Sequence, residues 1–283
     1  MKYVDINIFC IAQTELNRDD ARKWLNSIGA EEYNIKSEEE ISDPEHVIGL
    51  AAKRCYNSYL PKINPNVSKV RDSWDEYFNN ILISRHGSVL EHSTFTYAFE
   101  NISRIFTAEM NRHRTGVAIS EQSLRYVRFD EDIPFWIPLS IKSKENTLET
   151  ICPLKSDFKD ELEFKKAKTR YIIYKTLHSI ENNYRDLVEL WDFDNMNDFH
   201  QKKIVTSLLR RIIPLGVATG AIYTMNGRAI RHITTMRCEP AAEEEICYVF
   251  SKVAKDMVER SKLLFSDFKQ TEEGFWYPEN KKV

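Results

Sequence analysis

Along the chain the spacing of apolar positions changes period several times, and each change marks an element. Val4, Ile6, Ile8 and Cys10 recur at every second position, the pattern of a half-buried strand. Residues 18–28 read as a short helix, followed by the polar connection "EEYNIKSEEE". "SDPEHVIGLAAKRCYNS" predicts a second helix, with Asp43 as its cap and Pro44 in its first turn. After the loop "LPKINPN", Val70, Trp74, Phe78, Ile81 and Leu82 form one stripe and predict a helix over 68–85. "RHGSVLEH" reads as a turn. Phe95, Tyr97 and Phe99 then alternate with Thr94, Thr96 and Ala98 and predict a strand. Residues 102–114 have helical spacing, with Ile105, Glu109 and Arg112 on one face.

Further on, the two prolines of "FDEDIPFWIPLS" predict a loop with an edge strand. The long run from "DFKDELEF" to "VELW" is an amphipathic helix whose charges form a solvated face. Another helix over 199–213 stops at Pro214, and "LGVATGAIYTMN" reads as a buried strand. "GRAIRHITTMR" reads as a short helical turn. A final helix over 240–265 has Ile246, Val249, Phe250, Val253 and Met257 as its core stripe. With no internal repeat and no linker, the expectation is one α+β domain over 1–283, with a helical elaboration around 129–209.

Composition narrows the chemistry. No apolar run approaches the roughly 18 residues of a membrane span, and the N-terminal alternation is not that of a signal peptide. Five cysteines without C-x-x-C spacing argue against a disulfide framework or a zinc site and fit a reducing cytoplasm. His86, Glu91 and His92 match no zinc spacing, so no metal is expected. A net charge of −3 argues against bulk nucleic-acid binding, so any anion site must be local. Glycine is scarce and no glycine-rich phosphate loop occurs, which leaves arginines and helix N-termini to hold a phosphate.

Two stretches concentrate positive charge. In "NRHRTGVAISEQSLRYVR", Arg112, His113, Arg114, Arg125 and Arg128 flank a small uncharged middle. Val117, Ala118 and Ile119 would let backbone approach a flat ligand, although a solvated surface turn is the plainer reading. In "NGRAIRHITTMRCEP", Arg228, Arg231 and Arg237 lie close together, with Arg237 just before a helix expected to begin at Pro240. The amides of that helix end attract negative charge, unless Glu243, Glu244 and Glu245 already satisfy them. Arg210 and Arg211 near a helix C-terminus need only the dipole to explain them. Cys238 is either an activated thiolate or a buried small residue.

Taken together, these segments resemble the flavin-dependent thymidylate synthases over roughly 48–265, with 126–210 carrying little of the likeness. The ordered landmarks are "AAKRCYNS", "HGSVLEH", "RHR" followed by "SLRY", "RRIIP" and "NGRAIRHITTMR". The resemblance implies a curved mixed or antiparallel sheet with flanking helices, assembled as a homotetramer with active sites shared between subunits. It implies conversion of dUMP to dTMP, with 5,10-methylenetetrahydrofolate giving the carbon, FAD carrying hydride and relaying the carbon, and NADPH reducing the flavin. Arg237 would be the catalytic cation beside the N3/O2 edge of the uracil, since guanidinium stays protonated and lies flat against a ring. Glu109, Arg112, Glu121, Gln122, Ser123, Leu124, Arg125, Arg210 and Arg237 would hold dUMP. Ser88, Arg112, His113, Arg114, Glu121, Asn226, Gly227, Arg228 and His232 would line FAD.

Three departures stand out. Eight residues rather than seven separate "RHR" from Ser123, which asks for a bulge or shifted loop. Glu109 stands where the family has glutamine, and an ionised carboxylate only accepts hydrogen bonds. Ala241, Ala242 and Glu243 replace a His-Ala-Gln-like segment. These keep open a flavin-dependent C5-methylase or hydroxymethylase of another pyrimidine nucleotide. A non-catalytic nucleotide- or RNA-binding protein is the reading from a different class.

Overall fold

The computed structural model describes residues 2–35, 41–61, 63–67, 70–71, 73–129 and 132–283. The chain opens with β1 (Lys2–Tyr3), β2 (Asn7–Gln13) and α1 (Arg18–Ser27). The end of the polar connection after α1, at 36–40, lies outside the described residues. α2 (Asp43–Tyr56) is the expected second helix, but its cap is Ser42. Asp43 is turned to other work: it accepts a hydrogen bond from the Leu16 amide at 3.0 Å and pairs with Arg18 at 2.7 Å. Glu45, two residues on, accepts from the amides of Leu263 and Leu264 at 2.7 and 3.0 Å.

α3 (Trp74–Ile83) is shorter than the predicted 68–85, because Ser73 caps it by accepting from the Glu76 amide. Of the predicted N-terminal extension, 68, 69 and 72 lie outside the described residues. Gly49 on α2 is required where it stands: a Cβ there would lie 2.2 Å from the Trp74 ring. A 3-10 turn (Gly87–His92) leads into β3 (Thr94–Ser103), whose Phe95, Tyr97, Phe99 and Ile102 are buried. The strand runs through Ser103, so the expected 102–114 helix is reduced to α4 (Arg104–Met110). Ser103 makes the switch by accepting from the amides of Ile105 and Phe106 at 3.1 and 3.2 Å.

β4 (Val117–Glu121) and the two-residue β5 (Pro134–Phe135) follow. α5 (Glu161–Leu190) is the long amphipathic helix, and two of its charges turn inward rather than to solvent. Arg170 donates to Glu149 at 2.7 Å and to the Ile141 carbonyl at 2.6 Å, and Glu181 accepts from the Ile133 amide at 2.8 Å. α6 (Phe199–Leu209) stops short of the expected 213 and tightens into a 3-10 turn (Arg210–Ile212). Pro214 excludes the helical conformation at the residue before it. β6 (Ala218–Asn226) is the expected buried strand, while the expected short turn after it is a full helix, α7 (Gly227–Arg237).

α8 (Glu244–Arg260) begins later than Pro240, and the Glu243 carboxylate caps it by accepting from the amides of Glu245 and Ile246 at 2.9 and 3.1 Å. That acidic run therefore satisfies its own helix end, and Arg237 closes α7 instead of leading α8. Two strands, β7 (Phe268–Gln270) and β8 (Trp276–Pro278), complete the described elements.

The main sheet has the order β2-β3-β6-β4, with β1–β5 a parallel and β7–β8 an antiparallel pair, an α+β architecture. The chain divides into two compact units that interleave in sequence. The first holds 1–7, 99–112 and 120–222, and the second 8–98, 113–119 and 223–283. Within the first, Phe135, Ile137, Leu148 and Leu177 pack as one cluster and Tyr184, Phe193, Val205 and Leu209 as another. Within the second, Leu16, Leu25, Leu50 and Tyr59 form a cluster, and Ile246, Val249, Phe250, Val253 and Met257 of α8 are wholly buried.

Candidate functional site

The predicted residues fall into two groups, one in each unit. In the second unit the centre is Arg237, half-buried at the end of α7, whose Nε donates to Nε2 of His113 at 3.0 Å. A guanidinium can only donate, so this bond needs the lone pair on Nε2 and places any neutral-ring proton on Nδ1 of His113. The His113 ring also faces His232 at 6.1 Å, nearly edge-on. Thus two motifs separated by 124 residues meet around one cation.

At the other end of α7, Asn226 accepts from the Ala229 amide at 2.8 Å, and Gly227 donates its amide to the Ser93 carbonyl at 3.0 Å. Gly116 lies against this cap with φ +71°, and a Cβ there would come within 2.3 Å of the Asn226 side chain. The eight-residue spacer after "RHR" is thus spanned by a turn that only glycine fits, followed by β4. Arg228 is exposed and pairs with Glu91 at 2.7 Å, while its Nε donates to the Val283 carbonyl at 3.3 Å. Ser88 and Arg114 are exposed.

Arg231 does not join this group. It is buried with Asp267, donating through both terminal nitrogens at 2.7 and 3.0 Å, and also to the Leu264 carbonyl at 2.6 Å. Burial alone would raise the Asp267 carboxyl. The Arg231 guanidinium and the Asn280 donors outweigh it and hold the group below the usual carboxylate range. Cys238 is wholly buried, and burial pushes its thiol up to about 12, so it is a packed residue and not a ready nucleophile.

In the first unit, Glu109 in the last turn of α4 and Arg112 just beyond it lie 3.9 Å apart, and the Arg112 side chain is largely exposed. β4 ends at Glu121. The Gln122 side-chain oxygen accepts from the Thr219 hydroxyl at 3.3 Å and the Gly220 amide at 3.2 Å, which fastens this strand end to β6. The chain then turns: the amides of Tyr126 and Val127 both donate to the Ser123 carbonyl, and the Ser123 hydroxyl accepts from the Arg125 amide at 3.3 Å. Leu124 points inward while Arg125 is exposed. Arg210 sits half-buried where α6 ends. Among the described residues, neither the Arg125 nor the Arg210 guanidinium has a hydrogen-bond or ion-pair partner, and no bond joins either to the other. Two residues that sequence reasoning missed complete this group. Arg104 pairs with Glu121 and donates to the Gln122 carbonyl at 3.1 Å, and Asn111 donates to Glu121 at 3.4 Å. Nothing in the local pattern around Arg104 marks it, because its partner is 17 residues away across a turn.

The fold and these two groups describe an α+β protein that gathers arginine and histidine side chains without a glycine-rich loop. A family model described as "Thymidylate synthase complementing protein" matches residues 38–261, and the chain belongs to that family, the flavin-dependent thymidylate synthases. It is 28% identical over 206 residues to a flavin-dependent thymidylate synthase of Geobacter sulfurreducens, covering 72% of this chain and 73% of that one. Among solved structures it is similar to Thymidylate Synthase X of Helicobacter pylori with FAD and dUMP, with a TM-score of 0.54 and 17% identity over 93% of this chain and 98% of that one. It is also similar to the UMP/dUMP methylase PolB of Streptomyces cacaoi bound with 5-Br UMP, with a TM-score of 0.60 and 14% identity over 94% of each chain. At these identities the structural likenesses establish the fold.

Proposed function

We propose that this chain, as one functional domain, forms dTMP from dUMP, with 5,10-methylenetetrahydrofolate as carbon donor and NADPH as reductant. It works as a cytoplasmic homotetramer with sites shared between subunits. The observation that carries this reading is the bond from Arg237 to His113, which fixes a half-buried cation in the group that also holds the exposed Ser88, Arg114, Arg228 and His232.

The residues present fit FAD. At the start of α7, the helix dipole and the exposed Arg228 favour a phosphate, and the rings of His113 and His232 offer flat surfaces. When bound, FAD supplies hydride and relays the one-carbon unit. The chain's own residues do the rest. Asn226, Gly227, Arg228, His232, Ser88, His113 and Arg114 bind and orient the cofactor. Arg125, Arg210 and Ser123 hold the phosphate of dUMP, where guanidinium suits a dianion. Glu109, Arg112, Glu121, Gln122 and Leu124 border the nucleoside. Arg237 stabilises negative charge developing at N3/O2 of the ring, so that carbon 5 becomes nucleophilic without a thiol adduct at carbon 6. His113 holds Arg237 in place for that purpose.

The test is tritium release from carbon 5 of dUMP with methylenetetrahydrofolate, FAD and NADPH present, with UMP and dCMP as competitors. Release that depends on dUMP and all three additions is expected, and its absence removes the reading. A second reading, C5-methylation or hydroxymethylation of another pyrimidine nucleotide, draws on Glu109, whose carboxylate accepts but does not donate when ionised. Preferential release from UMP or dCMP in the same competition selects it.

A further inference from the structure

Arg104 is the first residue of α4, and its backbone is already committed: its amide donates to the Val217 carbonyl at 3.2 Å, and Ser103 caps the helix behind it. Its side chain, 20% exposed, leaves α4 and reaches the end of β4. One terminal nitrogen pairs with the Glu121 carboxylate and the other donates to the Gln122 carbonyl at 3.1 Å. Asn111, just past the other end of α4, donates to the remaining Glu121 oxygen at 3.4 Å. Two segments on either side of residues 113–120 are therefore clamped at one carboxylate. One carries Glu109 and Arg112, and the other carries Ser123 and Arg125.

The charge balance gives the clamp its purpose. Glu121 is mostly buried, 17% exposed, two residues before Ser123. An uncompensated carboxylate there would repel any dianion seated at Ser123 and Arg125. It would also be costly in its own right. Arg104 neutralises it and at the same time fixes the direction in which the chain leaves β4, by binding the Gln122 carbonyl. Gln122 is locked on its other side by Thr219 and Gly220.

We propose that Arg104 is a positioning residue for nucleotide binding. It cancels the charge of Glu121 and holds the 121–125 turn in the shape that presents Ser123 and Arg125 to a nucleoside monophosphate. This rests on the reading of those residues as the dUMP phosphate site. The role is electrostatic as well as mechanical, and that separates it from a merely structural contact.

Calorimetric binding of dUMP to the full-length flavoprotein tests it, with steady-state kinetics and melting temperature measured beside it. For Arg104→Ala, dUMP affinity is expected to fall about 30-fold, the scale of breaking a mostly buried charge pair. The KM for dUMP should rise far more than kcat falls. Arg104→Lys keeps the charge without the fork and should fall between the two. Arg104→Ala combined with Glu121→Gln should recover at least about fivefold of the lost affinity, because the repelling charge has gone. Arg104→Ala binding dUMP within about twofold of wild type, or a double variant no better than the single one at equal melting temperature, overturns the assignment. A wild-type protein that binds FAD but no dUMP overturns the phosphate-site reading and this assignment with it.

Discussion

His46 offers a stability test that is independent of the reaction. It lies in the first turn of α2 with no exposed surface, its ring 5.3 Å from that of Trp74. Among the described residues neither ring nitrogen has a hydrogen-bond partner. Burial is the main force against protonation. The nearby Arg18 cation adds to it and Asp43 opposes it, and the balance lowers the imidazole from 6.5 to about 4. The sign follows directly. At pH 7 neither folded nor unfolded chain is protonated here, so nothing is lost. Between pH 6.5 and 4 the unfolded chain binds a proton that the folded chain refuses, and stability falls as pH falls. A drop of that size corresponds to at most about 3 kcal/mol, fully present above pH 6.5 and gone near pH 4. Urea unfolding at half-unit pH steps measures it, comparing wild type with His46→Phe, an aromatic replacement beside Trp74. The variant should lose up to about 3 kcal/mol of the acid-side slope between pH 6.5 and 4. Parallel curves for the two proteins in that window refute the reasoning.

Arg237→Ala should lower turnover about 100-fold or more, the scale of losing one fixed electrostatic partner, checked by tritium release under saturating substrate. Wild-type-like turnover contradicts the role. Cys238→Ala should retain most activity, because the buried thiol takes no covalent part, and a dUMP adduct trapped on Cys238 overturns that. Asp267→Ala should cost about 3–5 kcal/mol in urea unfolding, since it strands the buried Arg231 guanidinium, and a loss below about 1 kcal/mol refutes the pairing. The Asp267 carboxyl is held below its ordinary value, so its contribution is present above about pH 4 and is lost as pH falls through the folded value. Acid unfolding of Asp267→Asn should accordingly show a flatter limb.

Elements with a strong period were legible in the sequence, and elements set by a single side chain were not. The alternation of Phe95, Tyr97 and Phe99 and the stripe of α8 appear as read, because each records a face buried against a core. The misreadings cluster at boundaries decided by hydrogen bonds that periodicity does not record. Ser103 stops β3 and starts α4, Ser73 starts α3, and Glu243 delays α8. For the same reason Arg237, expected just ahead of the last helix, closes α7 instead. Among the candidate site residues, the motifs single out Arg237 and His113 separately, but not that they touch. Arg231 looked like a third cation of the site, and only the position of Asp267 reveals it as a structural pair.

The two arginines one turn apart on α7 state the general point. Arg228 and Arg231 have the same chemistry and nearly the same sequence context, yet one pairs with Glu91 in the open and the other is sealed against Asp267. The exposed pair is easily exchanged for another anion, because surface ion pairs contribute little and a phosphate offers a stronger charge-assisted contact. The sealed pair is not, because opening it leaves a buried charge uncompensated. The same contrast separates Arg125 and Arg210, which have no ion-pair partner among the described residues, from Arg104, which is paired with Glu121. Availability for binding is therefore decided less by the presence of a guanidinium than by which carboxylate the fold has placed beside it.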